Sequence, residues 1–217
     1  MADKYPSISP YAYCAWNPVK LVDPDGREIW IEGTDGNLYR YNKGKMYTEK
    51  GEEYNGSDKF VNKVRSDLSN LKKMGIRKEI REMEKNKLRI TIKEGTVNDH
   101  CSLDDEGEKN PNIGSESVIT YNPGKKENSD GKRLPLYGLS HELGHAYDAM
   151  NGKVNDETVP VYMKGSYVTN KVIPWSEIRA VRFENRVRPA NKQRSTYDGY
   201  DLSPYGVVVK KSDGTIL

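Results

Sequence analysis

His141 and His145 stand four residues apart, with Glu142 directly after the first, in the run His-Glu-Leu-Gly-His. Four residues carry an α-helix about 40° beyond one full turn, so the two imidazoles project from one face, a turn apart. Their ring nitrogens can then reach one metal ion at about 2.0–2.1 Å each. Glu142 falls at the edge of that face, near enough to take a proton from a water at such an ion without being a ligand itself. The chain holds only three histidines. Three placed at random give this spacing, with the intervening Glu, in only about 0.2% of sequences. The pattern predicts a metal site with hydrolytic chemistry.

Two histidines do not complete such a site, because a catalytic zinc takes three protein ligands and keeps one position open. The longer pattern HExxHxxGxxH fails here: Asp148 and Asn151 stand where Gly and His would be needed. Asp148 reads as a polar helix residue or a partner of a ligand. His100, the remaining histidine, lies in a polar stretch and reads as an exposed loop residue. The better candidates are Glu177 and Glu184, on a helix expected over residues 175–188 and stopped by Pro189. Seven residues apart, they are nearly eclipsed and separated by about 10.5 Å along a straight helix, so one ion takes only one of them. Glu177 is favoured, since Ala180 and Val181 beside it leave room for close approach to the first helix. Glu184 is the alternative third ligand, or a carboxylate that orients a ligand histidine or an arginine. Either glutamate has a plainer partner at hand in Arg179, Arg182, Arg186 or Arg188. The oxyanion of a hydrolytic transition state needs a further donor. Tyr162, Tyr167, Tyr197, Tyr200 and the helix arginines are all open for that role.

The elements that must hold these residues follow from patterning. Residues 134–152 read as one helix, with Pro135 in its first turn and Gly152 as the stop. Upstream, alternating apolar and polar residues around DG, KG and NG turns predict a hairpin or meander with strands near 28–32, 38–42 and 45–48. Ser57 or Asp58 can cap a helix carrying Phe60, Val61, Val64, Leu68 and Leu71 on one stripe. Gly75 interrupts it, and Ile76, Ile80 and Met83 continue a second piece. Leu88, Ile90 and Ile92 alternate as a strand. Residues 94–115 read as a long polar loop, 117–123 (SVITYNP) as a strand on which an extended peptide could add, and 123–133 as a flexible loop. The fold class is α+β, with an active-site helix, a second ligand-bearing helix, a small mixed sheet and an N-terminal extended arm.

Two stretches resemble known families. HELGHAYDAMNG followed by Glu177, Arg179, Ala180, Val181, Glu184, Asn185 and Arg188 resembles the HExxH metallopeptidase domains of the NleD-like effector family, over about residues 75–190. That resemblance implies a zincin-like, gluzincin-type peptidase, with Zn2+ held by His141, His145 and a glutamate, Glu142 as the catalytic base, and a peptide or protein substrate. The arm resembles the end of an Rhs core, through Tyr11, Tyr13, Asn17, Pro18, Asp23, Pro24 and Gly26. It implies that the chain is the toxin tip of a larger bacterial protein, exported or delivered with it and met by an immunity protein. Arg27 stands where that family places Leu after its DPxG segment, which departs from its self-cleavage pattern. The expected division is an arm over 1–26 and a peptidase domain over 27–217, made of a β lead-in (27–55), a catalytic part (56–190) and a tail (191–217).

Composition narrows the remaining classes. The 217 residues carry a net charge of +3, too balanced to predict nucleic-acid binding. Mean hydropathy is −0.89, and no run reaches the ~18 apolar residues of a membrane span. The first residues lack a basic segment followed by an apolar one, so no signal peptide is expected. Cys14 and Cys101 cannot form a disulfide framework, and two separate thiols are expected. Three functions fit: a zinc endopeptidase effector, a metallohydrolase that is not a peptidase, and a degenerate toxin tip that only binds an immunity protein or shell.

Overall fold

The computed structural model describes residues 29–128, 131–132, 134–163, 167–190 and 207–209. The arm over 1–26 therefore lies outside the described residues, as does Cys14; Cys101 is an exposed free thiol. The larger sheet has six strands, mixed, in the order β3-β2-β1-β4-β6-β5. The meander β1 (Ile29–Glu32), β2 (Leu38–Asn42) and β3 (Lys45–Thr48) is antiparallel throughout. β4 (Ile90–Glu94) joins it in parallel to β1, and β6 (Ser117–Tyr121) continues in parallel to β4. β5 (Asp99–Ser102) pairs antiparallel with β6 and closes that edge.

Three expectations are corrected here. Residues 94–115 are not one loop, because they contain β5, whose Asp-His-Cys-Ser sequence has no apolar alternation to announce a strand. SVITYNP is consequently not an edge: β6 is flanked by β4 on one side and β5 on the other. The stretch after it also carries a two-stranded hairpin, β7 (Glu127–Asn128) with β8 (Gly131–Lys132).

Ile29, Ile31, Ile90, Ile92, Ile119 and Tyr121 point from the sheet into one core. Against them lie α1 (Lys59–Leu71), α2 (Arg77–Met83) and α3 (Pro135–Met150). Asp58 caps α1: one carboxylate oxygen accepts from the Val61 backbone N–H at 2.9 Å, the other from Thr34 N–H at 2.7 Å. Between α1 and α2 runs a π-helical turn, Lys72–Ile76, with Gly75 at φ 147°. A side chain is strained at that φ, and a Cβ there would also stand 2.6 Å from the Arg186 carbonyl oxygen. The kink thus lets the end of α4 (Trp175–Asn185) pass close by. A three-stranded sheet, in the order β10-β9-β11, is made of β9 (Thr158–Met163), β10 (Tyr167–Pro174) and β11 (Val207–Val209). β10 leads directly into α4.

Candidate metal centre

α3 is amphipathic in an unusual sense. Leu139, Leu143, Ala146 and Met150 enter the core, yet His141 and Glu142 are also buried, at 9% and 8% exposure. Against His141 lies α4, which packs along α3 with almost no spacer. A Cβ on Gly144 would lie 3.0 Å from Phe183 Cβ and 3.3 Å from Ala180 Cα. Glycine at 144 and alanine at 180 are therefore what allow the two helices to touch, and the touching brings carboxylates from α4 to the imidazoles of α3.

Both glutamates arrive, on different sides of one ring. Glu177, in the first turn of α4, spans the histidines: its Oε2 is 3.3 Å from His141 Nε2 and its Oε1 is 3.2 Å from His145 Nε2. Glu184, fully buried two turns later, sits 3.3 Å from His141 Nδ1, a charge contact rather than an aligned hydrogen bond. Its other oxygen accepts from Arg188 Nε at 2.7 Å, and the Arg188 guanidinium rests on the Tyr137 ring, 4.7 Å from the centroid. Two carboxylates seven residues apart reach opposite edges of one imidazole because that ring spans part of the distance between them.

The donor set fits a zinc ion. Ligand atoms of His141, His145 and Glu177 all lie within 4.8 Å of one another. A tetrahedron with arms of about 2.0–2.1 Å has edges of about 3.3 Å, the separation seen between Glu177 and each histidine. Two neutral imidazoles and one carboxylate are a set that zinc accepts.

The electrostatics without an ion show how strongly these groups attract each other. Burial pulls the His141 imidazole down, but Glu177 and Glu184 outweigh it and raise it to about 9. The His141 and His145 rings hold the Glu177 carboxyl far below the usual carboxylate range. Glu142 moves the other way: burial raises its carboxyl, with Glu177 and Asp99 adding to the rise against the pull of the histidines. A carboxylate that binds a proton more readily than usual suits proton transfer.

His100 was expected in an exposed loop and is instead on β5, half-buried. Its ring stacks on His145, 5.7 Å between centroids, and its Nε2 is 3.0 Å from Ser117 Oγ. Desolvation first, then the neighbouring His145, lower its pKa to about 4, so the ring is neutral at pH 7. Asp99 and His100 reach the site only because β5 exists, and nothing in the local pattern pointed there. Asp148 is buried and pairs with Arg179 through two contacts of 2.7 Å; burial pushes its carboxyl up although Arg179 pulls it down. Of the arginines named for the oxyanion, Arg179 is held by Asp148, Arg186 by Glu79, Arg188 by Glu184, and Arg182 lies over Trp175. The tyrosine side chains named for that role lie outside the described ones.

A model of the family described as Peptidase_M91, effector protein, matches residues 48–201, well over half the chain and all of the helices that build this centre. The chain belongs to the Peptidase_M91 effector family. Peptidase_M91 is by its name a peptidase family and by its description one of effector proteins. The family match begins after most of the β1–β3 meander. Comparison with curated proteins gives no match. Among solved structures, the chain is similar to the Clostridium botulinum neurotoxin serotype F light chain, with a TM-score of 0.41 and 12% identity, over 73% of this chain and 60% of that one. The chain thus spans about three-fifths of that light chain's length. Among the described residues, no helix is long and apolar enough to cross a membrane.

Proposed function

We propose that this Peptidase_M91 member is a gluzincin-type zinc endopeptidase, in which His141, His145 and Glu177 hold the metal and Glu142 is the proton-transfer base. The observation that carries this reading is the single carboxylate of Glu177 reaching both Nε2 atoms, while Glu184 is left to the far nitrogen of His141. Zinc, when bound, supplies Lewis acidity to a scissile carbonyl and lowers the pKa of water. The remaining work falls to side chains. Glu142 accepts the proton of the attacking water on its carboxylate and passes it to the leaving amine. Glu184 holds the His141 ring by Nδ1, and Arg188 on Tyr137 holds Glu184. The open edge of β5, beside Asp99 and His100, offers backbone groups to which an extended substrate adds as a strand.

The Rhs-like arm supports placing this peptidase at the tip of a larger bacterial toxin, with residues 1–26 the end of the core that carries it and an immunity protein as its guard. The test begins with metal content. Purified protein is expected to carry about one zinc per chain, lost in His141→Ala. Glu142→Gln is expected to keep the zinc and lower cleavage of a peptide library by about 10²–10⁴-fold. Zinc without any peptide cleavage would favour a metallohydrolase of another kind; no metal at all would favour a toxin tip that only binds.

A further inference from the structure

Lined by none of these groups, a cleft of about 440 Å³ opens between the β2–β3 turn and the π-helical kink. Lys43, Lys72, Lys73, Arg77 and Arg81 line it against one carboxylate, Glu84. Glu84 is consumed within the cleft, ion-paired to Lys72, whose ammonium also lies 4.7 Å from the Tyr41 ring centroid. That leaves four cations with no carboxylate facing them among the described residues, a local excess larger than the net charge of +3 for the whole chain.

The other acids of this region are turned elsewhere. Glu79 takes Arg186 at 2.7 Å, and Glu82 takes Tyr147 and, at 3.9 Å, Lys78. Arg77 and Arg81 stand one helical turn apart with like charge, an arrangement that destabilises a bare helix. Lys43 sits at the hairpin turn with φ 51°, a conformation uncommon for a residue with a side chain. The π-helical turn is rare in itself. Hydroxyls complete the floor: Tyr41 and Ser69 lie 3.3 Å apart there.

We propose that this cleft is a binding site for a small, multiply phosphorylated ligand. Two guanidinium groups can take phosphate oxygens in paired hydrogen bonds, with Lys43 and Lys73 as point charges around them. The volume falls within the about 300–1,000 Å³ of small-ligand sites, suited to one ring bearing several phosphates and too small for a folded protein segment. Such chemistry has two sources, a soluble inositol phosphate or the headgroup of a phosphoinositide. Gly75 and Glu79, each two residues along the chain from the lining residue Arg77, both contact Arg186 just after α4.

The experiment uses the full chain and two probes, inositol hexakisphosphate in solution and phosphatidylcholine vesicles containing phosphatidylinositol bisphosphate. Bound phosphate is expected to raise the melting temperature in a dose-dependent way, with affinity falling as salt rises. Arg77→Ala with Arg81→Ala is expected to weaken binding by about tenfold or more. Lys78→Ala with Lys85→Ala, which removes the same charge outside the cleft, is expected to leave binding unchanged. Effects with the soluble probe alone identify a soluble ligand; vesicle retention displaced by the soluble probe identifies a headgroup. The proposal is overturned if neither probe binds, or if both variant pairs weaken binding equally. It is also overturned if poly-glutamate binds as tightly through the same arginines.

Discussion

Glu177→Gln and Glu184→Gln separate the roles of the two carboxylates on α4. A neutral amide is a poor zinc ligand, so Glu177→Gln is expected to lose bound metal and hydrolysis together. Glu184→Gln is expected to keep stoichiometric zinc with an affinity about 10–100-fold weaker, because its part is to orient the His141 ring. It should also lower the melting temperature, since it removes the charge of Glu184 from a buried ion pair with Arg188. A chelator competition titration reads both variants. Zinc retained in Glu177→Gln but lost in Glu184→Gln would reverse the assignment. Both glutamates were legible as candidates, because a helix places residues seven apart on one face. Glu177 was favoured for the small Ala180 and Val181 beside it, but the distances themselves depend on how far α4 is shifted along α3.

At the scale of elements, contact between α3 and α4 depends on a missing methyl group. Gly144→Ala places its Cβ 3.0 Å from Phe183 Cβ, so the helices must separate by a few tenths of an ångström. Overpacking of this kind costs about 1–3 kcal/mol, and a wider gap draws Glu177 away from the histidines. Denaturant titration together with zinc competition should show both losses; unchanged metal affinity in a destabilised variant would mean the site does not need this spacing. The cap of α1 gives a pH-dependent prediction. Burial raises the Asp58 carboxyl, but the Thr34 and Val61 donors outweigh it, leaving it below its usual 3.8. A lowered folded-state pKa stabilises above the unfolded value and loses that stabilisation as pH falls through the folded one. Asp58→Ala is therefore expected to cost about 1 kcal/mol near neutral pH, with the difference from wild type shrinking below about pH 4. A difference that persists at pH 2 would rule out the charged cap as its source.

For the whole molecule, metal and fold are linked. An ion that binds only the folded chain adds about 4 kcal/mol at a free concentration a thousandfold above its Kd. Thermal melts with excess zinc and with chelator should differ accordingly, and superimposable melts would sever the proposed centre from the fold. Residues 1–26 precede the family match, which starts at residue 48, and they lack the periodicity that supplies core. Deleting them is expected to leave zinc stoichiometry and cooperative unfolding intact. A large fall in melting temperature would show that Trp16 and the arm tyrosines pack on the domain.

The motif His141-Glu142-x-x-His145 was readable from the chain alone because its geometry is local: one helix, one turn, one face. The same holds for the meander, the Asp58 cap and the break at Gly75, each set by neighbours within a few residues. β5 was not readable. Asp-His-Cys-Ser carries no apolar alternation, and its pairing partner on β6 lies well down the chain. Missing it misplaced two things at once: His100 was expected in solvent and β6 at the edge. Glu177 was favoured and Glu184 read as the alternative, but how close each comes to the histidines and to Arg188 was left to packing. Those are distances between elements, and only the close approach of α4 at Gly144 decides them.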